Sequence, residues 1–180
     1  MAVLNIPDEQ YSTRDAVAIS EFLRQRGIWF DQWAAPVQLA VDADQETVLA
    51  AYADVLQPFM AHNGYHVADV ININAQTPNY EAVRAKFLSE HTHTEDEVRF
   101  FVDGRGLFWF HLDDASPVFN VLCEAGDLIS VPAGTRHWFD AGAENPHVKA
   151  IRIFIDMSGW VPHYTGSEIA RTYSEKMTVR

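Results

Sequence analysis

The chain has 180 residues, 48% of them hydrophobic and 21% charged, and 25 acidic against 13 basic residues leave a formal charge of −12. That length suits a single domain over 1–180 with one sizeable core. The balance excludes a nucleic-acid binder, since no Lys/Arg cluster is present to neutralise phosphates, and no apolar run approaches the roughly 20 residues of a membrane span. The opening residues, MAVLNIPDEQYSTRD, lack a basic stretch followed by an apolar one, so no signal peptide is expected. The lone cysteine, Cys123, excludes an intramolecular disulfide and fits a reducing cytoplasm.

The first ~90 residues read as helix-rich. Residues 12–26 begin with hydroxyl and acidic capping candidates and stop at Gly27, with Ala16, Ile19 and Leu23 on one face. IWFDQW then reads as a short strand. The strongest helical pattern is 43–61, where Val48, Tyr52, Val55 and Phe59 form a stripe and Pro58 is expected to kink the last turn. A strand over 66–74 and a helix over 79–90, with Val83 and Phe87 four apart, complete this half.

From residue 97 the period shortens. EVRFFVDGRGLFWFHL reads as two strands around a hairpin at Asp103-Gly104-Arg105-Gly106. VFNVLCEAGDLISVP supplies two more strands around Ala125-Gly126, and TRHWFD and VKAIRIFID another two. TGSEIARTYSEK reads as a short helix capped by Thr165 or Ser167. Many short strands spaced by Gly/Pro turns predict an antiparallel barrel or sandwich with helices packed outside it.

Residues 89–100, SEHTHTEDEVRF, place His91 and His93 two apart. Alone, such a pair is also consistent with a solvated polar loop. In an extended segment, however, i and i+2 share a face, Glu97 has the same parity, and Arg99 and Phe101 keep it. Val98, Phe100 and Val102 would face an apolar layer on the other side. A fourth ligand is expected from a neighbouring strand, and GDLISVPAGTRHWFD offers His137 after a turn at Pro132 and Gly134. Three imidazoles and one carboxylate leave two places open on an octahedral ion, unlike a closed, thiolate-rich structural site. Glu95 and Asp96 read as solvated loop residues, and His62, His66, His111, His147 and His163 as ordinary surface or core residues.

The two motifs, His91-x-His93-x-x-x-Glu97-x₆-Gly104 and Gly126-x₅-Pro132-x-Gly134-x-x-His137, resemble the paired signature of the cupin superfamily. The glycine that often opens the first is Ala85 here, and the asparagine often found after the second is Ala141. FLSEHTHTEDEVRFFVDGRGLFWFHL, VPAGTRHWFD, AIRIF and the tail GW…YTG…IA further resemble bacterial acireductone dioxygenases.

That resemblance implies a cupin jelly-roll β-barrel with added N-terminal helices. It implies His91, His93, Glu97 and His137 as ligands of one Fe²⁺ or Ni²⁺. It also implies Phe87, Arg99, Phe139 and Arg152 as substrate-binding residues, the two arginines taking part in catalysis. The implied partners are O₂ and the acireductone 1,2-dihydroxy-3-keto-5-methylthiopentene of methionine salvage; apart from the resemblance, the composition leads us to expect no nucleic acid or membrane partner, and a monomer is our expectation. With Fe²⁺ the family yields 4-methylthio-2-oxobutanoate and formate; with Ni²⁺ it yields 3-methylthiopropanoate, formate and carbon monoxide. Other readings stay open on the same residues: a different cupin enzyme if neither arginine reaches the cavity, a non-catalytic binder if Phe87 and Phe139 fill it, and a metal-free β-domain if the histidines face solvent.

Overall fold

The computed structural model describes residues 1–156 and 161–174. Gly159 and Trp160, and the last two residues of the predicted terminal helix, Glu175 and Lys176, lie outside them.

The chain opens with two short strands that the residue pattern did not announce, β1 (Val3–Ile6) and β2 (Tyr11–Thr13), joined through a 3-10 turn at Pro7–Glu9. Their pairing is tertiary: β1 lies against β2 on one side and a distant strand on the other. Helix α1 (Ala16–Arg24) starts where the Ala18 N–H donates to Asp15 Oδ1 at 2.8 Å, an N-cap of the usual kind. Strand β3 is Trp29–Gln32.

The long helix expected over 43–61 is two helices, α2 (Gln45–Ala51) and α3 (Ala53–Asn63). The break falls at Tyr52, with φ −119° and ψ 13°, and not at Pro58, which lies inside α3. Tyr52 is buried with its ring against Phe100, centroids 5.3 Å apart. Restarting the helix there rotates the second stretch, so Leu56 is buried while Val55 is 42% exposed. Packing of one aromatic thus overrides a continuous helical stripe.

Next come β4 (Val67–Ile73), α4 (Tyr80–Phe87) and β5 (His91–Thr92). β6 (Glu97–Phe110) is the axis of the molecule. No hairpin forms at Asp103–Gly106; the 14 residues run on as one strand. Its first half pairs with β8 (Asp127–Val131) and β10 (Val148–Phe154), and its second half with β7 (Phe119–Glu124) and β9 (His137–Asp140). Four partners contributed from elsewhere in the chain outcompete local closure. The strand instead bulges just before Asp103-Gly104: Lys149 pairs with Asp103 but Ala150 with Phe101, which leaves Val102 as the extra residue. Gly104 has φ +70°, and a Cβ there would lie 2.0 Å from the His147 carbonyl oxygen, so only glycine fits.

The bulge shifts parity by one. Before it, Arg99 and Phe101 lie on the side of the interior core, while Val98, Phe100 and Val102 pack outward under Val48, Tyr52 and Leu56. After it, Phe108 and Phe110 join that core while Leu107 and Trp109 pack outward. One strand therefore serves two antiparallel sheets, β4-β10-β6-β8-β3 and β5-β9-β6-β7-β1-β2, and the interior core lies between them. β11 (His163–Tyr164) extends the second sheet beyond β5, and α5 (Ile169–Ser174) follows, its Ile169 N–H donating to Ser167 Oγ at 3.2 Å. Among the described residues no helix is long and apolar enough to cross a membrane.

Candidate metal centre

Backbone pairing brings the histidines together. His91 of β5 sits directly across from His137 of β9, which in turn pairs with Phe110 of β6. His93 follows β5 in a short loop, and Glu97 opens β6. That loop is pinned: the Gly134 N–H donates to the His93 carbonyl at 2.9 Å, and the Ala133 N–H to Asp96 Oδ1 at 2.9 Å. Glu95 Oε2 accepts the N–H groups of Ile155 and Asp156. The two acids expected to be merely solvated hold the loop ends in place.

Each imidazole is oriented by a backbone carbonyl. Nδ1 lies 2.7 Å from Ser89 O in His91, 3.2 Å from Val161 O in His93 and 2.8 Å from Thr135 O in His137. A carbonyl only accepts, so Nδ1 carries the proton in all three and Nε2 is left with a lone pair. Ligand atoms of the three histidines lie within 4.8 Å of one another. Glu97 Oε2 joins them, 2.9 Å from His137 Nε2 and 3.6 Å from His93 Nε2. Four acceptors facing one point in a nearly water-free setting suit a cation among them. Ligands at right angles on an ion with bonds of about 2.1 Å would lie about 3 Å apart, so the spacing fits, and the donors are those of an open transition-metal site. The three histidines form a metal site.

Arg99 closes the other side. Its Nη2 lies 2.5 Å from Glu97 Oε1, both side chains 3% exposed. Its guanidinium carbon stands 4.4 Å from the Phe139 ring centroid and 4.9 Å from that of Phe108. Burial alone would push the Glu97 carboxyl up, but the Arg99 guanidinium beside it outweighs that and holds the group well below the usual carboxylate range. Burial, followed by the neighbouring His137, lowers His91 from 6.5 to about 4. Burial also lowers His93, partly countered by Glu97.

These shifts set a pH dependence. His91 takes up its proton at about 4 when folded but at 6.5 when unfolded, so falling pH favours the unfolded chain throughout that interval. Glu97 contributes stability that is present above its ordinary 4.5 and lost as pH falls further. The metal-free protein is expected to lose about 3 kcal/mol between pH 6.5 and 4, and a bound divalent ion to leave over the same range, since it holds only neutral imidazoles. Urea unfolding of chelator-treated protein checks this; a flat midpoint across the interval would contradict it.

A cavity of about 310 Å³ opens onto the cluster. Arg99 and Arg152 both line it, together with Phe87, Phe154 and Tyr164. Phe139 does not; it is 1% exposed and lies behind Arg99, edge-on to Phe87 with centroids 6.2 Å apart. The aromatic pair therefore leaves the cavity open. The Arg84 fork binds Asp140 at 2.8 Å through both Nε and Nη2, tying α4, which carries Phe87, to β9, which carries His137.

Sequence reasoning missed three neighbours. Buried Glu90 has Oε2 2.8 Å from His111 Nδ1 and accepts from Thr165 Oγ1 at 2.6 Å. Tyr164 pairs with His91 across β11 and β5. Asp69 grips Arg152. Only Glu90 carried a signal, its place beside His91; the others come from strands remote in sequence.

The ARD/ARD' family model matches residues 8–162. An acireductone dioxygenase of Picosynechococcus sp. is 60% identical over 173 residues, which are 96% of this chain and 97% of that protein. One of Enterobacter sp. is 51% identical over 91% of this chain and 89% of its own. The solved acireductone dioxygenase from Bacillus anthracis with a cadmium ion in its active centre superposes with a TM-score of 0.82 at 34% identity, covering 91% of this chain and 98% of that one.

Two sheets sharing a bulged central strand, with a histidine cluster at an open cavity, define a metal-dependent enzyme of the cupin type. The cavity has room for a small-molecule substrate. The chain belongs to the acireductone dioxygenase family, ARD/ARD'.

Proposed function

We propose that this chain is an acireductone dioxygenase, cleaving 1,2-dihydroxy-3-keto-5-methylthiopentene with O₂ in methionine salvage. The observation that carries the reading is the convergence of three carbonyl-oriented Nε2 atoms and Glu97 Oε2 at a cavity walled by two arginines. In this reading His91, His93, Glu97 and His137 hold one Fe²⁺ or Ni²⁺. When bound, that ion supplies Lewis acidity and adjacent exchangeable places for a chelating enediolate.

The remaining work falls to the chain. Arg99 keeps Glu97 ionised through Oε1, which leaves Oε2 for the cation, and its charge offsets an anionic substrate in a site of low polarity. Its Nε and Nη1 are buried without a hydrogen-bond partner, so its donor capacity is not used up by Glu97. Arg152 adds a second positive wall. Val83, Phe87 and Phe154 offer apolar surface to the methylthioalkyl tail and exclude water from the reacting end. Phe139 supports Arg99 from behind.

Both product sets balance substrate plus O₂, and imidazole with carboxylate suits either ion. Apo-protein loaded with Fe²⁺ is expected to release formate and 4-methylthio-2-oxobutanoate; loaded with Ni²⁺ it is expected to release carbon monoxide as well, with 3-methylthiopropanoate. Gas analysis reads the difference, and identical products from both ions would refute the reading. The decisive first measurement is elemental analysis of the purified protein, followed by anaerobic acireductone and then O₂. A protein that consumes no oxygen under these conditions is not this enzyme.

A further inference from the structure

The second arginine of the cavity wall is held from behind. β10 places Arg152 in register between Asp69 of β4 and Arg99 of β6. Asp69 binds it as a fork: Nε is 2.8 Å from Oδ1 and Nη2 is 2.5 Å from Oδ2. Asp69, Ile71 and Ile73 share one face of β4, and the two isoleucines belong to the interior core. The carboxylate is the charged member of an otherwise apolar row.

As a source of stability such a pair is poor. Desolvating both ions offsets most of their attraction, and apolar residues of similar volume serve as well. What a fork does supply is direction, because two parallel hydrogen bonds fix the guanidinium plane. Direction matters here because Arg152 stands across the strand register from Arg99, a like charge that lowers the Arg99 pKa, after burial and against Glu97. Each guanidinium has its own carboxylate, Glu97 for Arg99 and Asp69 for Arg152. Without Asp69, repulsion and hydration would draw Arg152, the more exposed of the two, away from the cavity.

We propose that Asp69 is a positioning residue for substrate: it holds Arg152 on the cavity wall beside Arg99 so that both guanidiniums meet the anionic enediolate. This rests on the reaction proposed above. Asp69→Asn keeps the shape and removes the charge. In metal-loaded enzyme it is expected to raise KM for the acireductone about 10- to 100-fold while kcat stays within roughly 3-fold. Because Asp69 acts through Arg152, D69N/R152K is expected to be no worse than R152K alone.

An unchanged KM in D69N, or effects that multiply in the double variant, would overturn the role. If thermal unfolding shows that D69N does not fold, Asp69→Glu decides. It keeps the charge but displaces the fork by one methylene, and KM is expected to rise about 3-fold or more with kcat held; an unmoved KM overturns the role. Wild-type enzyme is the control. Absent wild-type turnover overturns the proposed reaction and this role with it, whereas normal wild-type turnover with unmoved variants overturns the role of Asp69 alone.

Discussion

His93→Ala is expected to leave purified protein with little or no divalent ion and no measurable turnover. His93 stands beside both Glu97 and His137: its Nε2 is 3.6 Å from Glu97 Oε2, and its ring centroid is 5.4 Å from that of His137. It is also the one of the three clustered histidines without a strand of its own, oriented by the loop carbonyl of Val161. Removing it takes one neutral nitrogen donor from the proposed set of four. The loss of affinity should exceed the roughly 10–100-fold that changes around the outside of a metal site cause. Folding should suffer far less, because the side chain is only partly buried and no core contact is lost. Metal analysis and thermal unfolding on one preparation separate the two effects. Full metal stoichiometry in H93A would remove His93 from the ligand set.

Arg99 gives the second large effect, and it differs between two substitutions. Arg99→Ala leaves Glu97 buried at 3% exposure without its cation. Breaking a buried pair in this way costs about 3–5 kcal/mol, and a chain of this size shifts Tm by about 2–4 °C per kcal/mol. A divalent ion, by neutralising Glu97, should restore part of that loss. Arg99→Lys keeps a positive charge but loses the planar fork and its stacking over Phe108 and Phe139. It is expected to fold with a smaller loss of stability and to lower kcat/KM about 100-fold, the scale of losing one oriented donor to a developing anion. Unchanged kinetics in R99K would remove Arg99 from the reaction, whatever R99A does to stability.

The metal site was legible because strand and loop periodicity act locally. His91, His93 and Glu97 are separated by two and four residues, and a short extended segment with a loop returns all three to one side. His137 was legible for a different reason: Pro132 and Gly134 mark a turn immediately before it, and the strand that follows had to lie near the first motif for a barrel to close. Phe139 shows the limit of parity. It shares a face with His137, yet that face is layered, and the Arg99 guanidinium separates Phe139 from the cavity.

The hairpin expected at Asp103–Gly106 illustrates the same limit in the fold. Asp-Gly between aromatic strands is a strong local turn signal, and the same glycine conformation serves a bulge equally well. The choice belongs to β7, β8, β9 and β10, none of which precedes residue 106 in the chain. The break at Tyr52 is likewise decided by Phe100, about fifty residues away.

By itself, then, the sequence determined the composition class, the alternation of helices and strands, and the three histidines of the metal site, because propensity, periodicity and side-chain chemistry are properties of neighbours along the chain. Only the tertiary structure decided that β6 runs through both sheets, that its bulge reverses which residues face inward, and that Asp69 and Glu97 each hold one arginine. Those outcomes depend on hydrogen-bond registers between strands distant in sequence, and a register is set by the packing of whole faces and not by any short stretch of residues.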